Sequence, residues 1–110
     1  MAFTAYRNVT GSTGVNIELI TVGEDVSSIN FITIANTHAT VDATVSMYIQ
    51  NQPIAAAAST FYMFKTVAIP PGTSLLLDNK SMFSFDNSTV GYGLYLTVGS
   101  SDTLDVMINI

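Results

Sequence analysis

A period of two runs through most of this chain and leaves little room for anything but β-sheet. Ala43, Val45, Met47 and Ile49 alternate with Thr44, Ser46, Tyr48 and Gln50. Successive side chains of a strand point to opposite faces, so this pattern describes a strand with one side buried. The C-terminal segment repeats it, with Leu104, Val106, Ile108 and Ile110 interleaved by Asp105, Met107 and Asn109. That pattern predicts a sheet strand running to the end of the sequence. Further along the same logic, Phe61, Met63, Lys65, Val67 and Ile69 form one row and Tyr62, Phe64, Thr66 and Ala68 the other. Bulky groups in both rows predict a strand packed on two faces.

Segments 3–9, 15–22, 28–35, 75–77, 82–85 and 92–98 read as further strands. Between them stand turn formers such as Gly11-Ser12-Thr13-Gly14, Pro70-Pro71-Gly72, Asp86-Asn87-Ser88 and Gly99-Ser100-Ser101-Asp102. Glycine supplies positive φ, proline a fixed φ, and Asn, Asp and Ser bond to their own backbone. About eight or nine short strands punctuated in this way predict an all-β, antiparallel β-sandwich. One domain covers residues 1–110. Helical propensity is confined to Pro53-Ile54-Ala55-Ala56-Ala57-Ala58, too short for more than a turn or two.

Charge narrows the function. Only 10% of the 110 residues are Asp, Glu, Lys or Arg, against 48% hydrophobic, where about 25% charged is usual. That balance excludes disorder. With Arg7, Lys65 and Lys80 as the only cations and a net charge of −5, neither nucleic acid nor a polybasic membrane contact has an electrostatic footprint. The absence of cysteine removes disulfides, thiolate zinc sites and a thiol nucleophile. The N-terminal residues do not read as a signal peptide, and no apolar run is long enough for a transmembrane helix. Synthesis and assembly in a cytoplasm is the expectation.

Catalytic constellations do not assemble. His38 is the single histidine, set in the turn-like run Asn36-Thr37-His38-Ala39-Thr40, and there is no Gly-x-Ser-x-Gly elbow to present a serine. Asp78, Asp86, Asp102 and Asp105 lie in or beside turns, where aspartate caps its own backbone rather than building a calcium loop. Gly91-Tyr92-Gly93 lacks the third glycine and following helix of a phosphate loop, and reads as a close backbone approach. Sequons at Asn8, Asn79 and Asn87 carry no weight in a chain without a secretory leader. Five tyrosines on a β-scaffold raise sugar binding as an alternative, although tyrosines packed at the rims of the sandwich are the plainer expectation. The expectation is therefore a chain that is not an enzyme and has no catalytic residue, metal or cofactor.

Sheet proteins guard their edges with lysine, proline and inward charge. Here Lys65 is the only lysine within a strand, and residues 29–35 combine β-propensity, low charge and no proline, an aggregation hazard when exposed. A chain of this kind is expected to have its surface covered by neighbours in a closed homo-oligomer, trimer or higher. The expected partner contacts are Phe3 and Tyr6 of the first strand, the apolar loop of Ile54, Ala55, Ala56, Ala57 and Ala58, and an unpaired sheet edge.

The run Phe61-Tyr-Met-Phe-Lys-Thr-Val-Ala-Ile-Pro-Pro-Gly-Thr-Ser-Leu-Leu-Leu-Asp78 resembles a pattern in small virion proteins of tailed bacteriophages. There an aromatic strand leads through "I-P-x-G" into a short "L-x-L" strand. The segment Gly93-Leu-Tyr-Leu-Thr-Val-Gly-Ser-Ser-Asp-Thr-Leu-Asp-Val-Met-Ile-Asn-Ile110 is similar to that family's closing hairpin. Upstream, Ile32-Thr-Ile-Ala-Asn36 followed by Ala43-Thr-Val-Ser-Met47 resembles its "I-x-I-x-N … A-x-V-x-V" pair. The resemblance implies an Ig-like or jelly-roll-like sandwich repeated many times in a virion. It also implies a role as capsid cement or decoration, or as part of the neck, tail or fibre, with the major capsid protein or other virion proteins as partners. It brings no catalytic residues. The sequence departs from the family pattern at residues 86–90, where "N-S-T-V" replaces a commoner "G-D" turn, which implies an altered loop at one end of the sandwich.

Overall fold

The computed structural model describes residues 4–10, 16–26, 29–51, 59–99 and 103–110. They form eight strands: β1 (Thr4–Thr10), β2 (Asn16–Ile20), β3 (Phe31–Asn36), β4 (Ala43–Gln50), β5 (Thr60–Ile69), β6 (Ser74–Leu77), β7 (Gly93–Val98) and β8 (Thr103–Asn109). Four antiparallel pairings are nested: β4 with β5, β3 with β6, β2 with β7, and β1 with β8. The chain is thus one long hairpin doubled back at residues 51–59. Two further pairings, β3 with β8 and β4 with β7, roll that hairpin into two four-stranded sheets, ordered β1-β8-β3-β6 and β2-β7-β4-β5. This winding is the eight-stranded jelly roll, so of the two sandwich types that the resemblance implied, the topology selects this one.

The core forms where the alternating rows meet. Ile32 and Ile34 of β3, with Leu104, Val106 and Ile108 of β8, face Val45 and Met47 of β4 and Leu94, Leu96 and Val98 of β7, all buried. Burying such side chains contributes about 1.5–3 kcal/mol each relative to exposure. The segment read as an aggregation hazard is β3, which lies inside its sheet between β8 and β6. Its backbone groups are paired on both sides, so it presents no edge.

Two expectations from the alternation are corrected. Residues 82–85 do not form a strand. Lys80–Phe83 make a 3-10 turn, with the Asn79 side chain accepting from the Ser81 amide, and Phe83 alone of these residues is buried. A local capping bond competes well with a ladder when only one side chain in the segment reaches the core.

The second correction concerns β5. Strict alternation places Lys65 in the row of Val67 and Ile69, and Ile69 is buried. In the structure Val67 lies opposite Val45, Phe64 opposite Met47 and Tyr62 opposite Tyr48, with register shifts on either side of Met47. The first shift sets Lys65 and Thr66 against Ser46 alone. Phe64 therefore takes the core position and Lys65 is exposed. An unpaired buried cation costs far more than a bulge. The bulge puts Thr66 at φ 58°, a left-handed conformation that disfavours a β-branched residue. The Thr66 amide donates to Ser46 Oγ at 2.9 Å, which satisfies a group the interrupted ladder would leave unpaired.

A buried asparagine ties the loops at each end. At one end Asn36 Nδ2 donates to the Val41 and Ile69 carbonyls, and its Oδ1 accepts from the His38 amide. At the other, Asn87 Nδ2 donates to the Thr21 and Tyr92 carbonyls, and its Oδ1 accepts from the Val26 amide. The Asn87 carbonyl also accepts from Gly23 and Asp25. The Asn87 side chain thus joins the β2–β3 and β6–β7 loops. At 3% exposure, Asn87 is no glycan acceptor.

Candidate interaction surfaces

The outer face of the β2-β7-β4-β5 sheet carries a row built by register. Glu18 lies opposite Tyr95, Tyr95 opposite Tyr48, and Tyr48 opposite Tyr62, one residue from each strand. Tyr48 and Tyr95 stack with centroids 5.6 Å apart and planes at 16°, while Tyr62 tilts on Tyr48 at 5.2 Å. Tyr48 is only 3% exposed, although it is on the face away from the core, because its two neighbours cover it. Tyr62 at the β5 end remains 50% exposed.

The row ends in opposite charges. Tyr95 Oη donates to Glu18 Oε2 at 3.2 Å, and Glu18 Oε1 accepts from Thr21 Oγ1. At the far end Lys65 Nζ sits 5.0 Å from the Tyr62 ring centroid, within reach of a cation–π attraction. This contact depends on the shifted register. Tyr62 and Lys65 are an odd number of residues apart, and a regular strand would put them on opposite faces. Burial pushes the Tyr48 phenol above its ordinary pKa. Tyr95 is raised as well, by burial first and then by the Glu18 charge.

Three tyrosines therefore occupy the middle of a sheet face rather than the sandwich rims. Their ring faces are spent on one another: Tyr48 has Tyr95 on one side and Tyr62 on the other. A sugar platform needs flat faces open to solvent, and the observed stacking leaves none at the centre of the row. Single strands hint at this row, since Tyr48 stands among the polar residues of its strand and Tyr95 between two core leucines. Only the cross-strand register brings the residues together.

A second exposed group gathers at the end of the sandwich where β4 and β5 are joined. Phe61, 56% exposed, meets Tyr92 edge-on at 5.9 Å. Val90 in the β6–β7 loop is 75% exposed. Beside them the β4–β5 connection is closed at its base: the Asn51 amide donates to the Ser59 carbonyl, and the Ser59 amide to Asn51 Oδ1. Ile54, Ala55, Ala56, Ala57 and Ala58 within that connection lie outside the described residues, as does Phe3. Tyr6 lies on β1 opposite Met107.

Three of the four sheet edges differ from the undefended edge that the sequence suggested. β5 has two register shifts and Lys65, β2 has five residues and a shift, and β6 has only four residues after a Pro70-Pro71-Gly72 turn. β1 pairs in unbroken register over seven residues. Bulges and short strands each discourage strand addition.

The polar residues weighed as sites take local roles. His38 Nδ1 accepts from the Thr40 and Val41 amides, so it folds its own turn. Asp86 Oδ1 accepts from the Ser88 amide, and that bond with the Ser88 side chain holds its carboxyl below the ordinary range. Gly91 and Gly93 mark close backbone approaches. A Cβ on Gly91 would collide with the Asp86 carbonyl, and one on Gly93 would lie 2.8 Å from the Ile20 carbonyl.

No protein-family model matches the chain, and no curated protein matches it. Among solved structures it is similar to a chain of the T13 IBDV viral particle, described as a missing link in the evolution of icosahedral viruses. The TM-score is 0.58 at 11% identity; the match covers 100% of this chain and 31% of that one. Our protein thus spans about a third of the neighbour's length, and at that identity the likeness is one of fold.

Proposed function

We propose that this protein is a non-enzymatic structural subunit of a virus particle. Within that class it is a cement or decoration subunit on the outer capsid shell of a tailed phage, bound to the major capsid protein. The observation that carries the reading is a jelly roll shared over its whole length with part of a viral-particle chain. The low charge and the exposed Phe61 and Val90 at one end, with half-buried Tyr92 against Phe61, add to it. Apolar burial there would supply adhesion at about 25 cal/mol per Å², before the entropy of association is subtracted. The net charge of −5 opposes contact with packaged DNA and suits an exterior position. A neck, tail or fibre role rests on the same fold with a different address.

Electron microscopy of virus particles purified from cells that produce the chain tests this reading. Density for the sandwich on the outer shell, with its Phe61 end against the capsid, is the expected result. Density at the neck or tail would replace the cement role by the second one. Particles that lack the chain altogether would overturn both.

A further inference from the structure

We propose that the outer face of the β2-β7-β4-β5 sheet is a two-fold contact between copies of this chain. The four strands of that sheet contain two charged residues, Glu18 on β2 and Lys65 on β5. β2 and β5 are its opposite edges. Between the charges run Tyr95, Tyr48 and Tyr62 in one register row. The face therefore reads acid, three aromatics, base across three strand spacings, about 14 Å.

Such a row is complementary to itself in one orientation. When a second copy lies face to face across a two-fold axis parallel to the strands, its row is reversed. Glu18 of each copy then meets Lys65 of the other, and the tyrosines meet at the centre. A two-fold axis along the row would instead set Glu18 over Glu18 and Lys65 over Lys65, which like-charge repulsion opposes. Charge thus selects one of the two face-to-face pairings. Tyrosine is the residue type enriched in interface cores, with charge at the rim, and the half-exposed Tyr62 ring gains cover from the contact. The symmetry doubles each interaction, because an isologous interface contains both Glu18–Lys65 pairs. Copies associate in pairs through this face, and a trimer would need another surface as well.

The proposal stands apart from the virion reading, since it concerns the purified chain in solution. Sedimentation of the full-length protein over a wide concentration range tests it, with thermal melts confirming that each variant is folded. The wild type is expected to pass from monomer to dimer. Glu18→Lys and Lys65→Glu should each weaken the dimer about tenfold, and the double reversal should restore it to within about threefold. If a reversal unfolds the chain, Glu18→Gln and Lys65→Gln carry the test, each weakening the dimer about threefold. A monomer at every concentration, single variants that dimerise unchanged, or a double reversal no better than the singles would each overturn the proposal.

Discussion

In the β1-β8-β3-β6 sheet all three pairings run in unbroken register, whereas the other sheet shifts once between β2 and β7 and twice between β4 and β5. Their outer faces differ accordingly. Across the regular sheet, Tyr6, Met107, Thr33 and Leu76 share one register row, and Asn8, Asp105, Ala35 and Ser74 the next. Across the shifted sheet runs the tyrosine row with an acid at one end and a base at the other. The regular sheet is what alternation produces unaided. In the shifted one, bulges move Lys65 out of the core row, put Phe64 in, and align a cation with Tyr62. A register shift here is the device that keeps a greasy strand containing one lysine compatible with a dry core.

Truncating the central outward residue of each sheet should separate them most. Tyr48→Ala removes a ring covered on both sides and is expected to cost about 2–3 kcal/mol. Met107→Ala, at the matching place on β8 and 39% exposed, should cost about 1 kcal/mol or less. Urea unfolding of both variants measures the gap, and equal losses would mean that the tyrosine row contributes no more than an ordinary surface residue.

The bulge itself is open to smaller tests. Ser46→Ala deletes the acceptor of the Thr66 amide and should destabilise the chain by about 1 kcal/mol. Thr66→Gly relieves the left-handed strain but adds chain entropy to the unfolded state, for a net gain of about 0.5 kcal/mol. A loss on Thr66→Gly would show that the threonine side chain compensates for its own backbone.

pH offers the mildest probe. Tyr48 and Tyr95 have raised pKa values in the folded state, so the folded protein binds protons more tightly than the unfolded chain. Their contribution is complete below the ordinary tyrosine range and falls as pH rises past about 10. Asp86 has the opposite sign: its lowered carboxyl helps above the ordinary carboxylate range and loses that help in acid. Melting temperature should thus decline at the alkaline end, and Tyr95→Phe should flatten that decline. An unchanged slope in Tyr95→Phe would assign the alkaline loss to other groups.

The sequence was most legible where local pattern and tertiary demand agree. In β4 and β8 the inward rows at 43, 45 and 47 and at 104, 106 and 108 are buried as the alternation predicts. It misled in β5, because a bulge obeys the whole core and not the neighbouring residues. It also misled at residues 82–85, where a capped 3-10 turn over Lys80–Phe83 took the place of the expected strand. The tyrosine row was illegible for another reason. Its members come from four strands, and registry between distant strands is set by packing that no single segment contains.

Alternation, turn chemistry and scarcity of charge are local properties, written along the chain, and they determined an all-β fold with an apolar interior and a weakly charged surface. Which strands became neighbours was decided only on folding, when the doubled hairpin rolled into two sheets. That winding put Glu18 and Lys65 on opposite edges of one face, because the fit of the buried rows fixes cross-strand register and the outer face follows it.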